Sequence, residues 1–169
     1  MKKIIITLFF SIFVIKNLSA QTQIKILRID DLIKMINMNT DNIEIYASKR
    51  DYEIESSKPT DRITIEDLIF KHEELDNYKF RLVRLSSGCN IMTIGFENFK
   101  LFNAQKTKVL SLGFKFVKSE IIDSPNSPNI KIKSTTYSKG SLEIEFYNFL
   151  DKKFYDGLPY EINLCSNCN

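Results

Sequence analysis

Residues 142–149 read LEIEFYNF, in which Leu142, Ile144 and Phe146 alternate with Glu143 and Glu145. Alternation of apolar and charged residues puts the two kinds on opposite faces of a β-strand. The same period of two recurs in YEIES from residue 52, KFRLVRL from 79, NIMTIGF from 90, FKFVKSEII from 114, IKIKS from 130 and YEINL from 160. Strands of this kind are typical of an antiparallel sheet that is covered on one face only.

The remaining periodic segments predict helices. Residues 30–50 carry apolar residues at helical spacing, interrupted at Asn39 and Thr40, which indicates two short helices joined by a turn. Residues 103–113, NAQKTKVLSLG, predict a third helix with Val109 and Leu110 facing inward and Gly113 as its stop.

Two segments are less regular. Residues 64–75, TIEDLIFKHEEL, fit both a helix and a strand, and we favour the strand. Residues 123–129, DSPNSPN, predict a loop, because two prolines disfavour both a helix and a hydrogen-bonded ladder.

The order of these elements indicates an internal repeat. Residues 46–57 and 109–120 both run from a helix end into an aromatic-led strand, and residues 92–99, MTIGFENF, match residues 142–149 at an offset of 50. We therefore predict an α+β fold in which an antiparallel sheet carries short helices on one face. It is predicted to consist of two fused helix-plus-strands repeats, residues 21–100 and 101–169, within one compact unit.

The element order, with the runs LGFKF at 112–116 and FYNF at 146–149, resembles tandem-repeat secreted α/β proteins such as the beta-lactamase inhibitory proteins, and also small secreted bacterial proteins with no assigned activity. The resemblance implies a binding surface on the open face of the sheet. It implies neither a particular partner nor particular binding residues.

The N-terminus has the order of a secretory signal peptide. Two lysines precede an apolar run from Ile4 to Ile15, and a polar stretch then closes on Ser19 and Ala20. A run of this length is shorter than the roughly 20 residues that span a bilayer as a helix. We therefore predict a signal peptide at 1–20, a mature chain without a transmembrane segment and a secreted or periplasmic location.

The charge balance disfavours nucleic acid as a partner. The chain has 24 Lys+Arg and 21 Asp+Glu, and three of the lysines lie in the predicted leader, which leaves 21 bases against 21 acids. Nucleic-acid binding depends on a basic surplus that neutralises phosphates. No such surplus remains in the predicted mature chain.

No catalytic set is recognisable in the sequence. The one histidine, His72, stands between Lys71 and Glu73, and no Gly-x-Ser-x-Gly motif is present. The five glycines are scattered, so there is no Gly-rich phosphate loop. We predict a solvated His72 and no cofactor, and we keep a small hydrolase that uses His72 as a minor alternative.

One hairpin register is predicted from charge. Pairing Lys131 with Glu145 and Lys133 with Glu143 would also pair Ile132 with Ile144, so that opposed positions sum to 276. Cross-strand pairs at an odd sum would contradict this register.

Three aromatic side chains are assigned to the outward face by the alternation of their strands: Tyr137, Tyr147 and Phe149. Aromatic groups on a wet face are frequent anchors for partners. We take the three as a candidate partner-binding surface, against the alternative that a loop or terminal strand covers them.

The chain ends in EINLCSNCN, and its cysteines are Cys89, Cys165 and Cys168. With only Asn169 after Cys168, no helix can lower a thiol pKa as in thioredoxin-like sites, and a zinc site would need all three cysteines and His72. An exported protein favours a disulfide. Strand alternation turns Cys89 and Cys165 to the same face and favours that pair; Cys89 with Cys168 is the main alternative, and a Cys165 to Cys168 ring is the third.

These features favour an exported, non-enzymatic binding or accessory module that recognises an extracytoplasmic protein or peptide through the open sheet face. An envelope thiol or metal-binding protein that uses the C-terminal cysteines is the alternative.

Overall fold

The computed structural model describes residues 26–58, 60–75, 77–124, 127–150 and 158–168, without the side chains of residues 127 and 128. The predicted signal peptide lies outside the described residues. Three helices and eight strands follow in chain order: α1 (Ile29–Met35), α2 (Thr40–Ser48), β1 (Tyr52–Ser57), β2 (Thr64–His72), β3 (Lys79–Leu85), β4 (Asn90–Phe96), α3 (Phe99–Ser111), β5 (Lys115–Ser124), β6 (Ser127–Lys139), β7 (Leu142–Phe149) and β8 (Tyr160–Ser166).

The strands form one open antiparallel sheet in the order β1-β2-β3-β4-β8-β7-β6-β5. The first four strands and the last four are two meanders that meet where β4 pairs with β8. This confirms the predicted α+β class and the antiparallel sheet. The predicted boundary between residues 100 and 101 lies inside α3.

The core lies between the three helices and one face of the sheet. Alternation turns Leu82, Met92, Ile162 and Ile144 toward this side, and all four are almost completely buried. The helices contribute Ile29, Leu32, Met35, Ile43, Ala47, Phe102 and Val109 to the same cluster, and Leu27 and Ile36 join it from either side of α1. Short helices of this kind owe their stability mainly to such burial rather than to intrinsic propensity.

The opposite side of the sheet carries no helix among the described residues, and we call it the helix-free face. Its central row runs across the strands through Arg81, Thr93, Asn163, Glu145 and Thr136. Toward the β5 side, Ile130, Ile132 and Phe149 form a second, smaller apolar cluster.

The helix ends follow local chemistry. The Asn39 side chain accepts a hydrogen bond from the Asn42 N–H and caps α2, and Asn98 caps α3 in the same way. The α3 helix therefore begins four residues before the predicted start. Gly113, with φ of +84°, follows its end as predicted. The predicted inward position of Leu110 is wrong, since 53% of this side chain is exposed.

The predicted register of the β6–β7 hairpin is wrong. Tyr137 pairs with Ile144 and Lys139 with Leu142, so opposed positions sum to 281. The turn consists of two residues, Gly140 and Ser141, and the positive φ of Gly140 suits such a tight turn. The odd sum turns Lys131 and Lys133 to the helix side, whereas Glu143 and Glu145 lie on the helix-free face.

The predictions for the two less regular segments, 64–75 and 123–129, have different outcomes. The predicted strand within 64–75 is confirmed as β2. The predicted loop at 123–129 is shorter than expected, because β5 continues to Ser124 and β6 begins at Ser127; residues 125 and 126 lie outside the described part. No helix in the described ranges is both long and apolar enough to cross a bilayer.

Candidate functional site

The predicted aromatic surface is divided between the two sides of the sheet. Tyr137 lies on the helix side, 8% exposed, with its ring 5.7 Å from that of Phe146, so the predicted outward orientation is wrong. Tyr147 and Phe149 do lie on the helix-free face. Phe149 is buried in the small apolar cluster there, and Tyr147 is half-buried beside it.

The centre of the helix-free face holds a strip of hydrogen-bonded polar side chains from three adjacent strands: Thr93, Glu145, Tyr147, Glu161 and Asn163. We call it the polar strip. The Thr93 hydroxyl donates to Asn163 Oδ1 at 2.6 Å, and the Tyr147 hydroxyl donates to Glu145 Oε2 at 2.5 Å. The Asn163 amide also lies close enough to Glu161 and Tyr147 to oppose the rise in the pKa of both side chains. Strand pairing and these bonds together hold the side chains in fixed positions before any partner arrives.

Two ion pairs border the polar strip on the β3 side. Arg81 binds Asp67 with two hydrogen bonds of 2.7 and 2.6 Å, and this contact holds the pKa of Asp67 below its usual value. Lys79 binds the Glu55 carboxylate at 2.6 Å. Because both cations already have carboxylate partners, the charge that remains in the polar strip is that of its acidic side chains.

An indentation of about 260 Å³ lies beside the polar strip, lined by Ile69, Lys79, Phe80, Arg81, Thr93, Gly95, Leu158 and Glu161. A Cβ atom at Gly95 would lie 2.4 Å from Leu158 Cδ1 and 3.1 Å from Leu158 Cβ, so any larger residue here would displace the Leu158 side chain. The missing side chain lets Leu158, two residues before β8, pack onto the sheet. Small-molecule sites usually occupy about 300–1,000 Å³, so this indentation is better matched to a single side chain of a partner.

Glu161 links the indentation to the polar strip. It is half-buried, and burial raises the pKa of its carboxyl group above the ordinary value of 4.5, although the Asn163 amide and the Arg81 charge act in the opposite direction. Burial disfavours the charged form of an acid that has no close cation. The site therefore offers a carboxylate whose charge is incompletely compensated.

This arrangement predicts a pH-dependent effect of Glu161→Gln. Because the folded-state pKa is raised, the stability that Glu161 contributes is present below about pH 4.5 and is lost as the pH rises through the folded-state value. We expect the variant to be more stable than the wild type at pH 7 and equally stable near pH 3.5. Urea unfolding at both pH values checks this; a variant less stable at pH 7 would show that the charged carboxylate supports the fold.

The cysteines pair differently from the favoured prediction. The disulfide joins Cys89 and Cys168, the main alternative, with Cα atoms 4.5 Å apart, and Cys165 is free. Cys165 lies within β8 opposite Ile91, whereas Cys168 lies beyond the strand and reaches the turn before β4. The predicted Cys89 to Cys165 pairing is thus corrected, because alternation within β8 said nothing of how the chain continues after Ser166.

The environment of the free Cys165 thiol makes this thiol weakly reactive. Burial, together with the carboxylates of Glu145 and Glu143, raises the pKa of Cys165 to about 11. A thiol acts as a nucleophile or metal ligand through its thiolate, which is scarce at neutral pH with such a pKa. The described residues also include no cluster of three or more histidine, cysteine or acidic side chains that could hold a metal ion.

The predicted solvated position of His72 is wrong. The side chain is completely buried on the helix side, with its ring edge-on to Tyr52 at 4.9 Å between centroids. Its Nδ1 accepts a hydrogen bond from the Glu74 N–H at 3.1 Å. Since His72 is the chain's only histidine, no imidazole lies on the helix-free face.

Comparisons with known proteins add no assignment: neither the family models, nor the curated proteins, nor the solved structures gave a match. The resemblance to tandem-repeat secreted proteins therefore stays a prediction.

Sequence reasoning did not find the polar strip or the indentation. Alternation does assign Thr93, Gly95, Glu161 and Asn163 to one face of their strands. Their proximity depends on β8 pairing with β4, a contact between residues about 70 positions apart. No local pattern reports such a pairing.

Proposed function

We propose that this chain is an exported, non-enzymatic binding or accessory module that recognises a protein or peptide through its helix-free face. The observation that carries the proposal is the fixed polar strip beside an indentation large enough for one side chain. We infer that the partner presents an apolar side chain to the indentation and a basic group to the polar strip.

Three observations support a binding rather than a catalytic role. The only imidazole is buried on the other side of the sheet, the only free thiol has a raised pKa, and the cations beside the indentation are held by Asp67 and Glu55. The face therefore holds hydrogen-bonding and apolar groups rather than an activated nucleophile and its base.

Export is supported by the order of residues 1–20 and by the disulfide, because disulfides persist mainly in oxidising compartments. The alternative of an envelope thiol protein receives less support, since Cys168 is bonded to Cys89 and the C-terminal pair is thereby divided.

We further propose that the fold arose from two fused repeats. Support comes from the element order, in which α1, α2 and β1–β4 correspond to α3 and β5–β8, with β4 and β8 side by side. The match of residues 92–99 to 142–149 does not add to this support, because it aligns the fourth strand of one half with the third strand of the other.

Binding is tested by introducing bulk and charge on one face only. We expect Thr93→Arg and Leu158→Asp to reduce capture of an extracytoplasmic partner at least about tenfold, because both disturb a desolvated centre of contact. Thr107→Arg, on the exposed surface of α3, is the matched control and should capture as much as the wild type. Equal capture by all four proteins, each shown to be folded by its thermal unfolding curve, would place binding elsewhere.

A further inference from the structure

The outer edge of β5 is a long strand edge with nothing paired to it in the described part of the chain. This strand has ten residues and stands last in the sheet. It exposes 58% of Phe116, 49% of Val117 and 65% of Ile121. Exposed strand edges with apolar side chains invite pairing with another strand.

The sequence of β5 is complementary to itself. Residues 115–123 read KFVKSEIID, and reversal about Ser119 places each lysine opposite an acid: Lys118 opposite Glu120, and Lys115 opposite Asp123. The same reversal places Val117 opposite Ile121. Within one chain Lys118 Nζ already binds Glu120 Oε1 at 2.6 Å. An antiparallel pair of identical strands with Ser119 on the two-fold axis would add two Lys118–Glu120 contacts between the copies, so that the four charges alternate in sign.

Neighbouring registers lack this complementarity. Moving the axis to Lys118 opposes lysine with lysine, and moving it to Glu120 opposes glutamate with glutamate. Like charges directly opposite each other destabilise a strand pair. The charge pattern thus selects one register among those near the strand centre.

The side-chain directions fit this register. Lys118 and Glu120 pair with β6 residues of the helix-free face, whereas Ser119 and Ile121 lie on the helix side. A β-bulge at Val117 interrupts the strand and leaves Lys115 and Asp123 on opposite faces of the sheet, so the charge contacts of the pair are those of Lys118 and Glu120. On the helix side, α3 packs over β4 and β8, which leaves the β5 margin open to a second copy.

The opposite edge of the sheet lacks self-complementarity. The β1 strand reads YEIESS, and antiparallel pairing with its own copy opposes Glu53 with Glu55, or each with itself in the adjacent registers. Repulsion between these carboxylates disfavours association through β1. The β5 edge thus favours pairing with its own copy, whereas the β1 edge disfavours it. Association through β5 alone gives a closed, two-fold dimer.

We propose that two copies of this chain associate through β5 in antiparallel orientation, with Ser119 on the two-fold axis, to form one continuous sheet. The contact joins charge pairs on the helix-free face and brings the exposed Val117 of each copy opposite the exposed Ile121 of the other. It leaves the polar strip of each copy accessible, so it is independent of the proposed partner binding.

Cross-linking tests the position of the axis. In protein obtained by expression of the full chain with Cys165→Ser, Ser119→Cys should form disulfide-linked dimers at least about tenfold faster than Ser56→Cys, which puts a thiol on the exposed β1 edge. Equal rates at the two edges, or faster linkage at residue 56, would overturn the proposal.

A charge-reversal cycle tests the register. Lys118→Glu and Glu120→Lys should each weaken dimerisation about tenfold or more in sedimentation experiments, because each substitution affects two symmetric contacts. The double variant restores both pairs and should dimerise like the wild type. A double variant as weak as the single ones, or a wild type that stays monomeric at about 100 µM, would overturn the proposal.

Discussion

Replacement of Phe102 with alanine is expected to lower the free energy of unfolding by about 3–5 kcal/mol. The ring is completely buried and joins α3 to the sheet: it stacks on Tyr160 at 5.0 Å between centroids and meets Phe146 edge-on at 5.5 Å. Truncation removes these contacts and leaves a cavity where three elements meet. Since small domains are stable by about 5–15 kcal/mol, the loss is a large share of the total.

Urea unfolding followed by circular dichroism measures this effect. Leu101→Ala is the matched control on the same helix, and it should cost less than about 1 kcal/mol because 39% of Leu101 is exposed. Phe102→Leu keeps most of the side-chain volume, and it replaces Phe102→Ala in this measurement if the alanine variant does not fold. Similar losses for Phe102→Ala and Leu101→Ala would contradict the packing of α3 on β7 and β8.

Removal of the disulfide is expected to have a comparably large effect. Cys168→Ser opens a cross-link between positions 79 residues apart, which the chain-entropy model values at about 4 kcal/mol. The substitution also releases the C-terminal end from the turn before β4, so β8 should fray from its end near Ser166. We expect a lower unfolding midpoint in urea and faster amide exchange at the end of β8.

Cys165→Ser is the control for this prediction. The side chain is half-buried and takes no part in the cross-link, so the variant should stay within about 1 kcal/mol of the wild type. Reduction of the wild type should reproduce the Cys168→Ser result. The reverse order, with Cys165→Ser the more damaging variant, would show that Cys165 is the true partner of Cys89.

Local sequence patterns identify the strands of this fold well, but they do not show which strands are neighbours in the sheet. Alternation in residues 142–149 identifies β7 and its two faces, because the period of a strand is a local property. It does not reveal that β8 inserts between β4 and β7, which is what brings Thr93 and Asn163 within 2.6 Å. The same long-range pairing forms the indentation, so local sequence patterns could not predict the candidate site.

The incorrect predictions for the hairpin register, Tyr137 and His72 also arise from relying on local patterns. Charge predicts one register for the β6–β7 hairpin, but the two-residue turn at Gly140 decides the register and turns Lys133 to the helix side. This change of face also places Tyr137 in the core. For His72 the charged neighbours Lys71 and Glu73 suggest exposure, but the ring packs against Tyr52, and Nδ1 accepts a backbone N–H while Nε2 is buried without a hydrogen-bond partner.

Recognition of a partner through the helix-free face can be tested by site-specific photo-crosslinking. A photoreactive amino acid is placed either at Asn163, in the polar strip, or at Thr107, on the exposed surface of α3. We expect one discrete extracytoplasmic adduct from position 163, lost when Leu158→Asp is added, and none from position 107. An adduct from position 107 alone, or no adduct from either position, would contradict it.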